Sequence, residues 1–266
     1  MNIDNVKIIC FSPTKSTKKI LTTIASGIGS QTAEILDITL PSAAYSEKTT
    51  ISADLALIGI PVYGGRVPLV AVKRLQQIKA EGIPAIVIVV YGNRGFDDAL
   101  LELNNVVRGI GFKPIAAGAF IAEHSFSISE YPIAKSRPDA EDLHKAKAFG
   151  QEIANQLKKD NIPLLLTSLA LPGNFPYKER GKSAGFSPET DSAICINCQK
   201  CVKACPTGAI LASDTTVTDL DKCILCGACI KVCPQQARIA KHPAFKEISK
   251  KLSTNCQKRL EPETFL

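Results

Sequence analysis

The first 160 residues alternate short, continuously apolar runs with longer segments that have the periodicity of an amphipathic helix. Apolar runs without polar alternation are typical of strands that are buried on both faces, as in a parallel sheet covered by helices. We therefore predict five strands, at residues 6–11, 32–38, 55–60, 85–90 and 114–120.

Two of the intervening segments carry an apolar stripe on one helical face. The first stripe consists of Ile20, Leu21, Ile24 and Ile28. The second helix is predicted to begin near Pro138 and Asp139, and its stripe consists of Leu143, Ala146, Phe149, Ile153 and Leu157. Strands that alternate with helices predict βαβ units, and right-handed crossovers make an open, doubly wound α/β sheet the simplest topology.

Residues 161–190 interrupt this alternation with prolines and glycines, among them Pro163, Pro172, Gly173, Pro176 and Gly181. Their apolar piece "IPLLLTSLAL" is too short to cross a bilayer. We predict a connector that packs one domain on the other, with a free, solvated linker as the alternative. The predicted organisation is a sheet domain (1–160), this connector, a small domain (191–240) and a C-terminal tail (241–266).

Charge and composition narrow the classes of partner. The 266 residues carry a net charge of +7, but the lysines are scattered and there is no Trp. A nucleic-acid surface more often has a basic stripe with stacking aromatic side chains. We therefore expect no nucleic acid and a mildly basic surface suited to acidic partners. The N-terminus does not resemble a signal peptide and no apolar run reaches about 18 residues, which predicts a cytoplasmic protein without a membrane span.

Eight of the ten cysteines lie within residues 195–233, in two runs spaced C-x2-C-x2-C-x3-C-P. In a reducing cytoplasm such runs hold metal more often than they form disulfides. Structural zinc is the alternative, although its cysteines usually come as two well-separated C-x2-C pairs. Cys10 and Cys256 lie outside both runs, and we expect Cys10 to be a buried packing residue.

The two runs are part of a longer repeat with an offset of 28 residues, which also pairs Val202 with Ile230, Lys203 with Lys231, and Ala209 with Ala237. This pattern indicates a duplicated half-domain. About fifty residues gain little stability from apolar burial alone, so metal binding would supply part of the folding energy.

The spacing resembles that of bacterial ferredoxins with two [4Fe-4S] clusters, in which the fourth cysteine of each run binds the other cluster. This resemblance implies two ligand sets. One set is Cys195, Cys198, Cys201 and Cys233, and the other is Cys223, Cys226, Cys229 and Cys205.

The loop "FSPTKST" (11–17) follows the first predicted strand and precedes a helix that begins near Thr17. An open α/β sheet presents its ligand crevice at this position, and the backbone N–H groups of a helix N-terminus attract anions. The loop therefore predicts a phosphate-monoester site with Ser12, Thr14, Ser16 and Thr17 as hydroxyl donors. The alternative is that these hydroxyls only cap the helix.

This loop resembles the phosphate loop of flavodoxins, Ser/Thr-x-Thr-Gly-x-Thr, with Lys15 in place of the glycine. The resemblance implies FMN at the sheet edge where the loops at 61–68 and 90–98 also open. It implies that Tyr63 and Tyr91 stack on or edge the flavin ring, the alternative being that they pack at strand ends. The residues whose backbone would approach the ring are Gly64, Gly65, Gly92 and Asn93.

Three further side chains follow the predicted strands. Arg66 and Arg94 would stabilise a reduced, anionic flavin or a negatively charged partner, or do neither. His124 would be a proton donor near the flavin or a hydrogen-bonded structural histidine. Lys15 would either change the loop or add a positive charge against the phosphate.

The whole chain resembles the flavodoxin-ferredoxin fusions of anaerobic microbes over about residues 3–240. The resemblance implies electron transfer between two [4Fe-4S] clusters and FMN, with redox proteins as partners. One alternative is an FMN-dependent reductase of a small organic substrate that its own ferredoxin domain supplies with electrons. Another is a sheet domain that has lost the flavin and only docks a partner.

Overall fold

The computed structural model describes residues 3–29, 33–43, 49–159, 169–181, 184–212 and 216–266. The centre of the first domain is a parallel sheet whose strands lie within one or two residues of the predicted positions. In chain order, the strands of this domain are β1 (Val6–Cys10), β2 (Ala33–Asp37), β3 (Thr49–Thr50), β4 (Leu55–Pro61), β5 (Ile78–Lys79), β6 (Pro84–Tyr91) and β7 (Lys113–Ile121). The short strands β3 and β5 pair only with each other.

The five long strands are parallel and lie in the order β2-β1-β4-β6-β7. Counted along the chain, this is the 2-1-3-4-5 order of the flavodoxin-like doubly wound fold. The prediction of the fold class is confirmed.

Helices cover both faces of this sheet and bury two apolar clusters against it. One cluster contains side chains of the first and last of these helices, and the other contains side chains of the two between them. The helices are α1 (Ser16–Ile28), α2 (Leu69–Leu75), α3 (Ala99–Gly109) and α4 (Ala140–Lys158), with a short 3-10 turn at Pro41–Ala43. Cys10 is fully buried in β1, which confirms its packing role.

The second domain repeats its elements at the offset seen in the sequence. Its elements are β8 (Glu189–Thr190), α5 (Lys200–Lys203), β9 (Ile210–Leu211), β10 (Val217–Thr218), α6 (Ala228–Lys231) and β11 (Arg238–Ile239), so each half contributes strand, helix and strand. The antiparallel pairs are β8 with β11 and β9 with β10. Each pair therefore takes one strand from each half, and the two halves interlock.

The C-terminal tail returns to the first domain. Helix α7 (Pro243–Asn255) places the buried Phe245 against Phe126, with 4.4 Å between the ring centroids. Strand β12 (Glu263–Phe265) then pairs antiparallel with β7 as a sixth strand of the sheet. The five predicted parallel strands are all present, and β12 is an additional edge strand that the sequence analysis did not predict, because a three-residue strand carries too little pattern to be recognised.

Within the described part of the connector, residues 169–181 pack along α3. The Asp98 carboxylate accepts hydrogen bonds from the backbone N–H groups of Asn174 (2.8 Å) and Lys178 (2.6 Å). Most of the apolar piece at 162–171 lies outside the described residues. Among the helices of the described ranges, none combines the length and the apolar character that crossing a bilayer requires.

Candidate functional site

A cavity of about 580 Å³ lies at the carboxyl ends of the parallel strands, with a volume typical of a site for one small ligand or cofactor. Its walls come from both domains. The sheet domain contributes the loop after β1, the loops after β4 and β6, and residues 122–126, while the second domain contributes residues 223–226. The predicted site residues that line it are Thr14, Ser16, Thr17, Tyr63, Gly64, Tyr91 and Gly92.

The loop after β1 keeps the backbone turn that a glycine would favour. Lys15 has φ +66°, in the left-handed region, and its N–H donates to the Ser12 carbonyl at 3.1 Å. Ser12 is buried, and its Oγ accepts from the Lys18 N–H at 3.0 Å, so this hydroxyl caps the start of α1. Thr14, Ser16 and Thr17 are the hydroxyl residues of this loop that line the cavity.

The loop after β4 is a tight turn between Tyr63 and Arg66. Two backbone hydrogen bonds of 3.0 and 3.2 Å join these residues, and Gly64 and Gly65 both have positive φ, as a type I′ turn requires. Tyr63 and Gly64 face the cavity, whereas a Cβ on Gly65 would lie 2.2 Å from the Asp97 carboxylate. Burial raises the pKa of Tyr63 well above its usual value, so its hydroxyl stays protonated.

Two residues at the end of β6 and in the loop after it have different contacts: Tyr91 lines the cavity, and Asn93 binds the C-terminal segment. Tyr91 is buried, with its ring centroid 5.4 Å from that of Phe96, and it presents only part of its side chain to the cavity. Asn93, which the resemblance implies near the flavin, points elsewhere. Its Nδ2 donates to the carbonyls of Cys256 and Lys258, both at 2.8 Å, and this fixes the segment that leads to β12.

His124 lines the cavity beside Gly92, where a Cβ would lie 2.3 Å from the imidazole Cδ2. Its Nδ1 accepts from the Phe126 N–H at 3.0 Å, which assigns the ring proton of the neutral form to Nε2. Burial, assisted by the charge of Arg94, lowers the pKa of His124 to about 4. At neutral pH the ring is therefore an uncharged donor, held by a hydrogen bond.

Both arginines that the sequence analysis singled out are paired with carboxylates, and of the two only Arg66 lines the cavity. Arg66 donates to Glu102 (2.7 Å) and its guanidinium lies 4.8 Å from the centre of the Tyr177 ring. Arg94 pairs with Asp97 at 2.8 Å. The sequence interpretation missed two further cations on the cavity wall, Arg180 and Lys231. Both come from segments distant in sequence, so no local pattern could have placed them there.

The eight clustered cysteines surround two small cavities in the second domain. One cavity is lined by Cys205, Cys223, Cys226 and Cys229, which we name the inner site. The other is lined by Cys195, Cys198, Cys201 and Cys233, which we name the outer site. Each group contains three cysteines of one run and the fourth cysteine of the other run, as in the two sets that the ferredoxin resemblance implies.

Backbone N–H groups point at two of the sulfurs. Ala209 donates to Cys205 Sγ at 3.3 Å, and its repeat partner Ala237 donates to Cys233 Sγ at 3.1 Å. Within the described ranges, no three Cys, His, Asp or Glu side chains converge on the position of a single metal ion. Each of the two cavities is lined by four thiols, which is the donor set that holds a [4Fe-4S] cluster.

The two sites differ in burial and in neighbours. Three inner-site cysteines are only 8% exposed, and Cys223 and Cys226 also line the large sheet-edge cavity. In the outer site Cys198 is exposed, and the adjacent Ile196 is 61% exposed. The inner site therefore faces the sheet domain and the outer site faces solvent.

Polar contacts hold the inner site against the sheet domain. The buried Arg74 of α2 donates to the Ile38 carbonyl (2.9 Å) and to the carbonyl of Pro206 (2.7 Å), the residue after Cys205. Lys231 pairs with Glu123 at 2.9 Å. These contacts fix the distance between the inner site and the sheet edge.

Comparison with known proteins gives one family match and several similar structures. A family described as "4Fe-4S dicluster domain" matches residues 194–237. A flavodoxin from the domain Archaea is 16% identical, over 58% of this chain and 99% of that one, with a TM-score of 0.38. Oxidised flavodoxin 1 from Bacillus cereus is 20% identical, over 57% and 98%, also with a TM-score of 0.38.

The rubredoxin oxygen:oxidoreductase of the anaerobe Desulfovibrio gigas is 18% identical over 62% of this chain, with a TM-score of 0.39. This chain spans 37% of that protein. No curated protein matches the chain.

The family match and the strand order describe different parts of the chain. Residues 194–237 match a family described as a 4Fe-4S dicluster domain, and the parallel sheet before them has the flavodoxin-like order. The chain therefore combines an α/β domain of flavodoxin-like strand order with a region that matches the 4Fe-4S dicluster family.

Proposed function

We propose that this protein passes electrons between two [4Fe-4S] clusters and an FMN held in the sheet-edge cavity, in anaerobic redox metabolism. The observation that carries the proposal is the shared wall of that cavity. Cys223 and Cys226 of the inner site line the same space as Thr14, Ser16 and Thr17 of the predicted phosphate loop. A cluster in the inner site and a flavin in the cavity would therefore be direct neighbours.

The residues present fit two clusters. Each site offers four thiols around a cavity, and Ala209 and Ala237 supply N–H donors to ligand sulfurs. When bound, each cluster holds one transferable electron and FMN holds one or two. The exposed outer site admits a partner, while the buried inner site excludes water on the path to the cavity.

The residues present also fit FMN. The N-terminus of α1 and three cavity-facing hydroxyls form an anion site, and the exposed Lys15 adds a positive charge beside it. Tyr63 and Gly92 form walls, and His124, whose neutral ring carries its proton on Nε2, lines the same cavity. Lys15 adopts the turn of the usual glycine, which argues against a loop that has lost its ligand.

Quantification of iron, sulfide and FMN in anaerobically prepared protein tests the proposal. We expect about eight iron, about eight sulfide and about one FMN per chain. Thr14→Ala should weaken FMN retention and leave the iron content unchanged. Thr23→Ala is the matched control, because the Thr23 hydroxyl bonds only the Lys19 carbonyl on an exposed face of α1. Protein that binds zinc and no flavin after reconstitution would contradict the proposal.

Redox proteins with an acidic surface are the proposed partners at the outer site. Lys200 and Lys203 are exposed next to Cys201, and the whole chain has a net charge of +7. Reduction by an acidic electron donor should therefore slow as salt rises, and more steeply for the native protein than for a Lys200→Gln, Lys203→Gln variant. Equal salt dependence would place the docking surface elsewhere.

The second candidate is a flavin-dependent reductase of a small organic substrate. This candidate is favoured by three polar side chains that line the cavity. Arg180, Lys231 and the neutral His124 would bind and orient an anionic molecule there. Reoxidation of the anaerobically reduced protein distinguishes the two candidates. A reductase is reoxidised by a small organic acceptor, whereas a carrier requires a redox protein.

A further inference from the structure

Arg238 is a buried guanidinium that lies between the two cysteine sites. The residue is only 2% exposed, and it lines both the inner-site cavity and the outer-site cavity. Its Nη2 is 3.9 Å from Cys229 Sγ, the distance of a weak N–H···S contact. Its side chain therefore lies between the two sites and borders both.

The charge of Arg238 is not balanced by a carboxylate. Its hydrogen bonds go to neutral oxygens, each at 2.7 Å: Thr190 Oγ1, Pro188 O and Thr218 Oγ1. Among the described residues no carboxylate is within salt-bridge distance, and the buried Nε–H has no partner. An uncompensated buried cation is costly, so an anion is expected beside it.

The repeat shows that packing alone does not require this arginine. The position 28 residues earlier is Ile210, which is 4% exposed and begins β9 as Arg238 begins β11. An apolar side chain therefore satisfies the equivalent position of the first half. The second half has a charge there instead, directly beside the sulfurs.

We propose that Arg238 raises the reduction potentials of both [4Fe-4S] clusters, and that of the inner cluster more. The inference rests on the proposed function. A cluster held by four thiolates is anionic and becomes more so when it accepts one electron from a partner, without bond formation or proton uptake. A nearby buried cation stabilises the reduced form more than the oxidised form. Because Nη2 contacts Cys229, the larger effect falls on the cluster next to the flavin cavity, which directs electrons inward.

Anaerobic redox titration of the iron-loaded, full-length protein, followed by electron paramagnetic resonance, tests this inference. Arg238→Gln should lower the equilibrium constant for reduction of the inner cluster at least about tenfold, which is 59 mV for a one-electron couple. The outer cluster should shift in the same direction by less. Arg238→Lys keeps the charge and should shift both clusters by less than about threefold.

If Arg238 acted only by holding neighbouring segments together through its hydrogen bonds, a different result would be expected. Thr190→Val removes one hydrogen bond of the guanidinium but keeps its charge, so it should lower stability and leave the potentials near those of the native protein. Should Arg238→Gln fail to fold, Arg238→Ile installs the side chain that the first half already uses. Neutral variants with native iron content and native potentials would overturn the inference alone. Native protein without iron-sulfur clusters would overturn the proposed function and the inference with it.

Discussion

The two domains of this chain are stabilised in different ways. The sheet domain buries two large apolar clusters, and every residue of β4 is buried. Among its described residues, the second domain has one small apolar cluster of side chains, and half of them are cysteines: Cys205, Ala209, Ile210 and Cys229, with Cys201, Val202, Cys223 and Ile230 packed against them. We therefore expect the first domain to fold by apolar burial and the second domain to depend on what its thiols bind.

Removal of the clusters should therefore have the largest effect, and on one domain only. We expect amide hydrogen exchange in residues 189–239 to accelerate towards unfolded rates in iron-free protein, because their core lacks its ligand. Exchange in β4 and β6 should remain slow. Equal protection of residues 189–239 with and without iron would contradict the comparison.

Loss of one cysteine should affect only one of the two cysteine sites in the second domain. Cys205 lies in the first run but lines the inner site, so Cys205→Ala should remove about half of the iron and spare the outer cluster. Iron analysis with spectroscopy of the remaining cluster measures this. Cys256→Ser is the control and should keep the full iron content, and selective loss of the outer cluster would contradict the crossed arrangement.

The interface between the domains should respond to Arg74. Arg74→Ala leaves the carbonyls of Ile38 and Pro206 without their donor and should destabilise the protein by about 2–4 kcal/mol. Iron content should not change, but electron transfer from the clusters to FMN should slow because the inner site is no longer held to the sheet edge. Denaturant unfolding and flash reduction measure the two effects, and Arg74→Lys should retain part of each.

The strand positions were predictable because each buried strand is an uninterrupted apolar run. The spacing within each cysteine run predicts metal binding, whereas the two crossed sets come from the resemblance to ferredoxins, and the cysteines that line the two cavities are grouped in the same way. Other features depend on contacts between segments that are distant in the sequence. Asn93 donates hydrogen bonds to the carbonyls of Cys256 and Lys258, and β12 is recognisable only once it pairs with β7. The repeat places Arg238 at the position equivalent to Ile210, but only the structure shows that its guanidinium lies between the two cysteine sites.

A smaller effect concerns pH and the cavity wall. The unfolded chain protonates His124 near its ordinary pKa of 6.5, whereas burial lowers the pKa in the folded protein to about 4. The folded state therefore loses stability as pH falls from 6.5 towards 4, since the unfolded state binds the extra proton. Nuclear magnetic resonance of the His124 ring should give a midpoint near 4. A midpoint above 6 would mean that the ring is not buried, and His124→Gln should remove this part of the pH dependence.

The smallest expected effect concerns the loop before α1. Lys15→Gly and Lys15→Ala both remove the charge, but only glycine adopts positive φ without strain. The glycine variant should be more stable than the alanine variant by about 1 kcal/mol, measured by denaturant unfolding. Both should bind FMN more weakly than the native protein if the lysine attracts the phosphate, and unchanged affinity in both would remove that role.

The proposed function requires that the inner site and the sheet-edge cavity form one continuous path for electrons. Anaerobic flash reduction of the clusters, with the absorbance of FMN followed in time, measures transfer along that path. We predict that FMN is reduced at a rate that does not change with protein concentration, because electrons cross the shared cavity wall within one molecule. A rate that rises in proportion to protein concentration would show that electrons travel between molecules and would contradict the account.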